Sequence, residues 1–185
     1  FIYYMVHQFY SKSFNFGYIT FIKKFINCYE YKKLQTLRQV ITANHPLDPT
    51  IQAQIIFGVA DAMDYLHDKN VYHGSLNDRI VLLDEQYRPY LTDFGLSHQS
   101  NVSKEHFSEY VIYIAPEIMK RTAKVTKKCD VFSFGMLCHF VICGNHTFAK
   151  KFKTQPVECL ISSGQRPIIP SAVSLQVRDL VNTCK

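Results

Sequence analysis

Apolar residues recur at helical spacing in the middle of the chain, and this pattern indicates an amphipathic helix with one buried face. The segment opens on Asp48-Pro49-Thr50, which is a good helix start because the carboxylate can cap N–H groups and the proline needs no donor. We therefore predict a helix over Thr50 to Asp68. The apolar positions are Ile51, Ile55, Val59, Ala62 and Leu66, and the polar positions opposite them are Gln54, Asp61, Asp64 and Asp68.

Other stretches of the chain show different patterns. Asp130 to Cys143 is apolar almost all round, which predicts a buried central helix. Val81 to Asp84 and Pro89 to Thr92 flank a polar turn, which predicts a short hairpin. Phe1 to Ile26 is rich in Phe, Tyr and Ile around a polar break, which predicts two strands.

Composition limits the classes of protein that remain. A hydrophobic content of 47% supports a packed core, and the net charge of +6 is modest and scattered, with no nucleic-acid motif beside it. The six cysteines form no Cys-x-x-Cys pair, which favours reduced thiols and a cytoplasmic location. The longest apolar run, Val131 to Cys143, is too short to cross a bilayer, so we expect no membrane association.

Three short motifs occur in a fixed order. His73–Asp84 has the sequence His-Gly-Ser-Leu-Asn-Asp-Arg-Ile-Val-Leu-Leu-Asp, and Asp93-Phe94-Gly95 and Ala115-Pro116-Glu117 follow it. In this order they resemble the catalytic loop, magnesium loop and activation-segment end of protein kinases. Further matching segments are Asp130–Gly135, and, as in the tyrosine-kinase-like group, Gly164–Pro167 and Arg178–Leu180.

The resemblance implies an α+β, protein kinase-like fold that is truncated at its N-terminal side. Residues 1–26 would be a two-stranded remnant of the small lobe, and residues 27–185 a mainly α-helical large lobe without its final helix. The hinge would lie at Asn27–Glu30, and a short helix at Lys33–Thr42.

The catalytic loop departs from the family's His-Arg-Asp-Leu-Lys-x-x-Asn pattern. Ser75 stands at the position of the catalytic Asp and is a very poor base, so we expect it to be non-functional. Asn77 replaces the Lys and carries no charge, and Ile80 replaces the metal-binding Asn and offers no oxygen. Gly74 replaces the Arg that, in many kinases, binds a phosphate group on the activation loop. Asp78 could substitute for the lost carboxylate, but a solvent-facing role is the favoured interpretation.

Other motif residues are retained. By the resemblance, Asp93 would bind magnesium at the nucleotide phosphates, although a turn-capping role is the alternative. Lys23 falls near the back of the nucleotide pocket, or faces water from a strand. The resemblance implies an ion pair between Glu117 and Arg166, and hydrogen bonds from loop N–H groups to Asp130. The matching residues with structural roles are His73, Phe94, Gly95, Glu117, Asp130 and Arg166.

These features favour a kinase-like protein without competent catalysis, a pseudokinase that acts in signalling through a protein partner or through weak nucleotide binding. The cofactors implied are ATP and Mg²⁺, with binding weak or absent. An active kinase with an unusual loop, for Ser/Thr or Tyr substrates, is one alternative, and an unstable truncated fragment is another. A helical adaptor unrelated to kinases would require the order of the motifs to be coincidence. The oligomeric state stays open.

Overall fold

The computed structural model describes residues 34–92, 110–119, 124–145 and 156–184, and these residues are mainly helical. The elements, in chain order, are β1 (Gln35–Thr36), α1 (Leu37–Asn44), α2 (Pro49–Asp68), β2 (Val81–Leu83), β3 (Pro89–Leu91), a 3-10 turn (Val111–Tyr113), α3 (Pro116–Met119), α4 (Lys127–Cys143), α5 (Val157–Ser162) and α6 (Leu175–Thr183).

Helix α2 confirms the amphipathic pattern. The Asp48 carboxylate accepts a hydrogen bond from the Thr50 N–H at 2.7 Å, and Pro49 occupies the first helical position. Hydrogen bonds from the backbone and side chain of Thr50 hold the pKa of Asp48 below its ordinary value. The predicted apolar face is turned inward, with Ile55 and Val59 fully buried, while Asp61 and the other polar positions are exposed.

Helix α4 is the centre of the core. It begins at Lys127, three residues before the predicted start, because the exposed Lys127 and Lys128 extend its first turn beyond the apolar run. Leu137 and Val141 are completely buried, and α2 packs against this helix as predicted. The helix ends at Cys143 and is capped by Gly144, whose φ of +68° is left-handed and suits glycine.

The sheet is small and antiparallel, in the order β1-β2-β3. The predicted hairpin is confirmed, with Val81 opposite Leu91 and Leu83 opposite Pro89. The expected helix over Lys33–Thr42 is wrong at its start, because Gln35 and Thr36 pair with β2 instead. Thr36 forms a capping box with Gln39, so the helix can begin only at the following residue.

Several expectations fall on parts of the chain that the structure does not describe. The two strands over residues 1–26, the hinge and the proposed domain boundary all lie outside the described residues. Where the chain is described, a helical body with a small antiparallel sheet agrees with the expected α+β, kinase-like fold. Among the helices of that described part, none is long and apolar enough to cross a membrane.

Candidate functional site

The loop between α2 and β2 is anchored by Asp130 in the first turn of α4. Asp130 is 1% exposed, and its carboxylate accepts hydrogen bonds from the backbone N–H of His73 at 2.9 Å and of Gly74 at 2.7 Å. The His67 ring lies 2.9 Å from the same carboxylate. These are the loop contacts that the resemblance implies for Asp130, and they fix the backbone around the candidate catalytic position.

His73 is fully buried and links two parts of the site. Its Nε2 lies 3.0 Å from the Thr92 carbonyl oxygen, and its Nδ1 lies 3.2 Å from the Ser75 hydroxyl. A carbonyl can only accept, so in the neutral ring Nε2 donates to Thr92 and Nδ1 accepts from Ser75. Ser75 therefore directs its hydroxyl toward the imidazole.

Asn77 is engaged within the loop itself. Its side-chain amide donates to the Ser75 carbonyl at 2.8 Å, and its side-chain oxygen accepts from the Arg79 N–H at 2.9 Å. The side chain is 7% exposed. It shapes a local turn and brings no positive charge to the site.

The side chain of Asp78 differs from its sequence-based expectation. We expected a solvent-facing side chain, but Asp78 is completely buried. Its carboxylate receives both Nε and Nη2 of Arg38, at 2.9 and 3.1 Å, and its carbonyl accepts from the Arg38 N–H at 2.9 Å. The expectation was wrong because α1 places an arginine next to this loop. A carboxylate bound at two points by a guanidinium is a poor replacement for the missing base.

Ile80 lies in the hydrophobic core with 8% exposure. It packs with apolar neighbours at the position where the family has an oxygen ligand. Ile80 does not fit a hard cation such as Mg²⁺, which takes oxygen ligands, and the side-chain oxygen of Asn77 is already bonded by the Arg79 N–H. Within the described ranges, no group of three His, Cys, Asp or Glu side chains could hold a metal ion. The site residues that the structure describes therefore do not fit the second metal ion of the family.

The remaining candidate site residues, the ligands Asp93 and Lys23 among them, lie outside the described residues. These are Asp93, Phe94 and Gly95 of the magnesium loop, and Lys23 near the nucleotide pocket. Their expected roles stay predictions.

The ion pair expected between Glu117 and Arg166 is not formed directly. Arg166 Nη1 donates instead to the carbonyls of Ile161 at 3.2 Å and Gln165 at 2.8 Å, and its guanidinium carbon lies 5.1 Å from the centre of the Phe132 ring. Burial lowers the pKa of Arg166, and the charge of Glu117 opposes that shift at longer range. The prediction of an ion pair was wrong at hydrogen-bonding distance, because the carbonyl of Ile161 in α5 and that of Gln165 in the turn after it take up the guanidinium.

Glu117 has a different near neighbour. One of its carboxylate oxygens lies 3.5 Å from the Cys129 sulfur, which can donate its proton weakly. Burial raises the pKa of the Cys129 thiol, so it stays protonated at neutral pH.

Sequence reasoning missed Arg38 and Tyr113 as members of the site. Tyr113 is 2% exposed, and its pKa is raised well above the ordinary value by burial and by the nearby charge of Asp78. Arg38 lies forty positions before Asp78, and no local spacing signals their contact.

The fold and the loop together define a class of protein. The family model for protein tyrosine and serine/threonine kinases matches residues 15–185, and the chain belongs to the protein kinase family. Members of this family generally use ATP and Mg²⁺.

Individual relatives agree with this assignment. The chain is 37% identical over 128 residues to PBL7, a probable serine/threonine-protein kinase of Arabidopsis thaliana, covering 63% of the chain and 34% of the relative. It is 34% identical over 120 residues to the LRR receptor-like serine/threonine-protein kinase ER1 of Oryza sativa subsp. japonica, covering 59% and 12%. It is 27% identical over 163 residues to a probable serine/threonine-protein kinase of Dictyostelium discoideum, covering 88% and 12%. The chain thus spans 12% to 34% of the length of these relatives.

Proposed function

We propose that this chain is a catalytically impaired kinase-like domain, a pseudokinase of the tyrosine-kinase-like group, that acts in signalling by binding a protein partner. The observation that carries the proposal is the state of the loop at Ser75–Ile80. Its polar groups bind one another or Arg38, and Ile80 is packed into the core.

Phosphoryl transfer depends on positioning and on charge stabilisation, with a carboxylate to accept the substrate proton. Ser75 offers a neutral hydroxyl, and the nearby carboxylate of Asp78 is buried against Arg38. Asn77 offers no cation to the transferring phosphoryl group. Each of these changes removes a different contribution to the reaction.

The scaffold around the loop is intact by contrast. Asp130 accepts two loop N–H bonds, and α4 is buried at the centre of the core. A preserved scaffold beside an altered reaction centre supports a binding role. The partner is proposed to be a protein, since the sequence has no nucleic-acid motif. The cysteine usage supports a cytoplasmic location, and the shortness of the longest apolar run supports a chain without membrane association.

Assignment to the tyrosine-kinase-like group rests on two short segments. Gly164-Gln165-Arg166-Pro167 follows α5, and Arg178-Asp179-Leu180 lies in α6. Several of the relatives are described as receptor-like kinases, which agrees with this placement.

An active serine/threonine kinase with an unusual loop is the second candidate. The names of the relatives favour it, and so does the contact of Ser75 with His73, which gives the hydroxyl a potential proton acceptor. His73 is completely buried, however, and burial disfavours the charged imidazolium that such a transfer would create. The impaired domain is therefore the better-supported candidate.

Nucleotide binding provides the test. The melting temperature of the purified chain is measured with increasing ATP and Mg²⁺, beside an Asp93→Ala variant. A ligand at one hundred times its Kd stabilises by about 2.7 kcal/mol, so even modest binding is visible. We expect a cooperative melt with little or no shift in either chain. A saturable shift that Asp93→Ala abolishes would favour the active kinase, and a melt without cooperativity would indicate the unstable fragment.

A further inference from the structure

The end of α2 and the start of α4 form one corner of the molecule. The His67 Nε2 atom lies 2.9 Å from the Asp130 carboxylate, and this contact ties the last turn of α2 to the first turn of α4. Exposed charges of opposite sign surround it, with an acidic half on α2 and a basic half on α4. We call this surface the charged corner, and its residues are Asp64 and Asp68 in the acidic half and Lys127 and Lys128 in the basic half.

The electrostatics of the two helices do not explain these charges. The unpaired carbonyl groups at the C-terminal end of a helix favour positive charge, and the unpaired N–H groups at its N-terminal end favour negative charge. Asp68 is the last residue of α2, and Lys127 and Lys128 are the first two residues of α4. Each of these side chains therefore carries the less favourable sign for its place in the helix.

Neighbouring side chains do not neutralise the charged corner either. Over the described ranges of the chain, no ion pair or side-chain hydrogen bond involves any of its four charged groups. Both signs of charge are thus presented to solvent side by side in the part of the chain that the structure describes.

An exposed apolar residue accompanies each half of the charged corner. Val131 is 40% exposed and lies one helical turn after Lys127 in α4. Phe57 is 64% exposed and lies about two turns before Asp64, on the same face of α2. Apolar surface gains free energy when it leaves water, so both halves favour contact with another protein surface.

We propose that the charged corner is a dimerisation surface, and that its partner is a second copy of this chain. The acidic half of one copy meets the basic half of the other, and a two-fold axis repeats the same contact on the opposite side. Phe57 and Val131 pack at the edges of the interface. The proposal rests on the binding role proposed above and names the partner.

Charge complementarity within one surface favours a second copy over an unrelated protein. A surface that carries both signs side by side can match itself after a half-turn, and such a two-fold contact closes as a dimer. A partner surface of a single sign would be repelled by one half of the corner. Because the charges are few and exposed, we expect a weak dimer that exchanges with the monomer.

The test follows the mass of the whole 185-residue chain by analytical ultracentrifugation over a range of concentrations. Two charge-reversal variants are compared with the natural chain. The acidic half is reversed by Asp64→Lys with Asp68→Lys, and the basic half by Lys127→Glu with Lys128→Glu.

A third variant provides the control for net charge. Glu85→Lys with Asp179→Lys reverses two exposed carboxylates outside the charged corner. It therefore has the same net charge as the variant with the reversed acidic half.

The natural chain should have a mass near 21.5 kDa when dilute and should approach twice that mass as its concentration rises. Each corner variant alone should associate at least about tenfold more weakly, because both halves of its corner then carry one sign. An equimolar mixture of the two corner variants should dimerise again, and the control should behave like the natural chain.

The corner variants should remain folded, since the reversed charges suit the ends of α2 and α4. Thermal melts of each variant check this. If either variant melts below the natural chain, the single reversals Asp68→Lys and Lys128→Glu replace the double ones in the same mixing experiment.

Three results would overturn the proposal. The first is a natural chain that stays monomeric at every concentration, and the second is a dimer that both reversals leave intact. The third is a pair of corner variants that stay monomeric when mixed, and assemblies larger than a dimer would contradict the two-fold arrangement. A folded, monomeric chain that also lacks phosphoryl transfer would remove this proposal and leave the impaired kinase-like domain in place.

Discussion

Arg38 and Asp78 form a two-point ion pair that joins α1 to the loop between α2 and β2. The Arg38 Nε and Nη2 atoms lie 2.9 and 3.1 Å from the two carboxylate oxygens, and the backbone N–H of Arg38 bonds the Asp78 carbonyl. The Asp78 side chain is completely buried, whereas the Arg38 side chain is 32% exposed. The pair thus satisfies a carboxylate that would otherwise be buried without compensation.

Removing Arg38 should destabilise the domain more than removing an exposed arginine. Arg38→Met leaves the Asp78 charge buried and unpaired, and we expect a loss of about 2–3 kcal/mol, below the full cost of breaking a buried pair because Arg38 is partly in water. Asp78→Asn in the same background should recover part of the loss. Denaturant unfolding of the single and double variants measures the coupling.

Arg88→Met is the matched control for this cycle. Arg88 also pairs with a buried carboxylate, Asp84, but its own side chain is 55% exposed. We expect its coupling to be below about 1 kcal/mol. The coupling free energy between Arg38 and Asp78 should exceed that between Arg88 and Asp84. Equal coupling in the two pairs, or no coupling between Arg38 and Asp78, would show that the buried pair does not stabilise the loop.

Phe132 and Phe134 provide a test of the central helix. Phe132 is 4% exposed and carries the Arg166 guanidinium over its ring, whereas Phe134 is only partly buried against the core. Phe132→Ala should cost about 3–5 kcal/mol, and Phe134→Ala clearly less. Thermal or urea unfolding of both variants checks this, and a larger loss at Phe134 would contradict the orientation of α4.

Asp84 should make stability depend on pH in the acid range. Burial alone would raise the pKa of Asp84, but bonds from Arg88, Tyr90 and Gln86 outweigh it and hold the pKa below the ordinary 3.8. A carboxyl with a depressed folded pKa stabilises the fold fully above its unfolded pKa, and this contribution is lost as pH falls through the folded value.

The urea midpoint should therefore fall with pH below about 4 in the natural chain. Asp84→Asn should be less stable at neutral pH and should show a flatter profile in acid. Glu85→Gln, at the exposed neighbouring position, is the control and should keep the natural slope. If the urea midpoint of Asp84→Asn falls with pH as steeply as that of the natural chain, other carboxyl groups cause the loss of stability in acid.

Much of the fold follows from local pattern. The spacing of Ile55, Val59 and Leu66 predicts α2, and Asp48-Pro49 marks its first turn, because capping and amphipathicity act within a few residues. The first residue of α1 is harder to predict from the sequence, because the pairing of Gln35 and Thr36 with β2 depends on residues far along the chain.

The site was predictable only where a motif carries the information. Asp130 and His73 occupy the contacts that the resemblance implies. The burial of Asp78 depends on Arg38, which replaces solvent as its partner. The position of Arg166 depends on the carbonyls of Ile161 in α5 and of Gln165 beside it. Such contacts are set by tertiary packing, which a spacing rule does not contain.

The central claim is that this loop does not support phosphoryl transfer, and a radiolabelled transfer assay tests it most directly. The natural chain is incubated with labelled ATP, Mg²⁺ or Mn²⁺ and a general protein substrate, beside Asp93→Ala as the background. Loss of the catalytic base alone typically lowers a rate by about 10²–10⁴-fold. We predict incorporation by the natural chain no greater than by Asp93→Ala. Clear incorporation that Asp93→Ala abolishes would contradict the account and show that the chain is an active kinase.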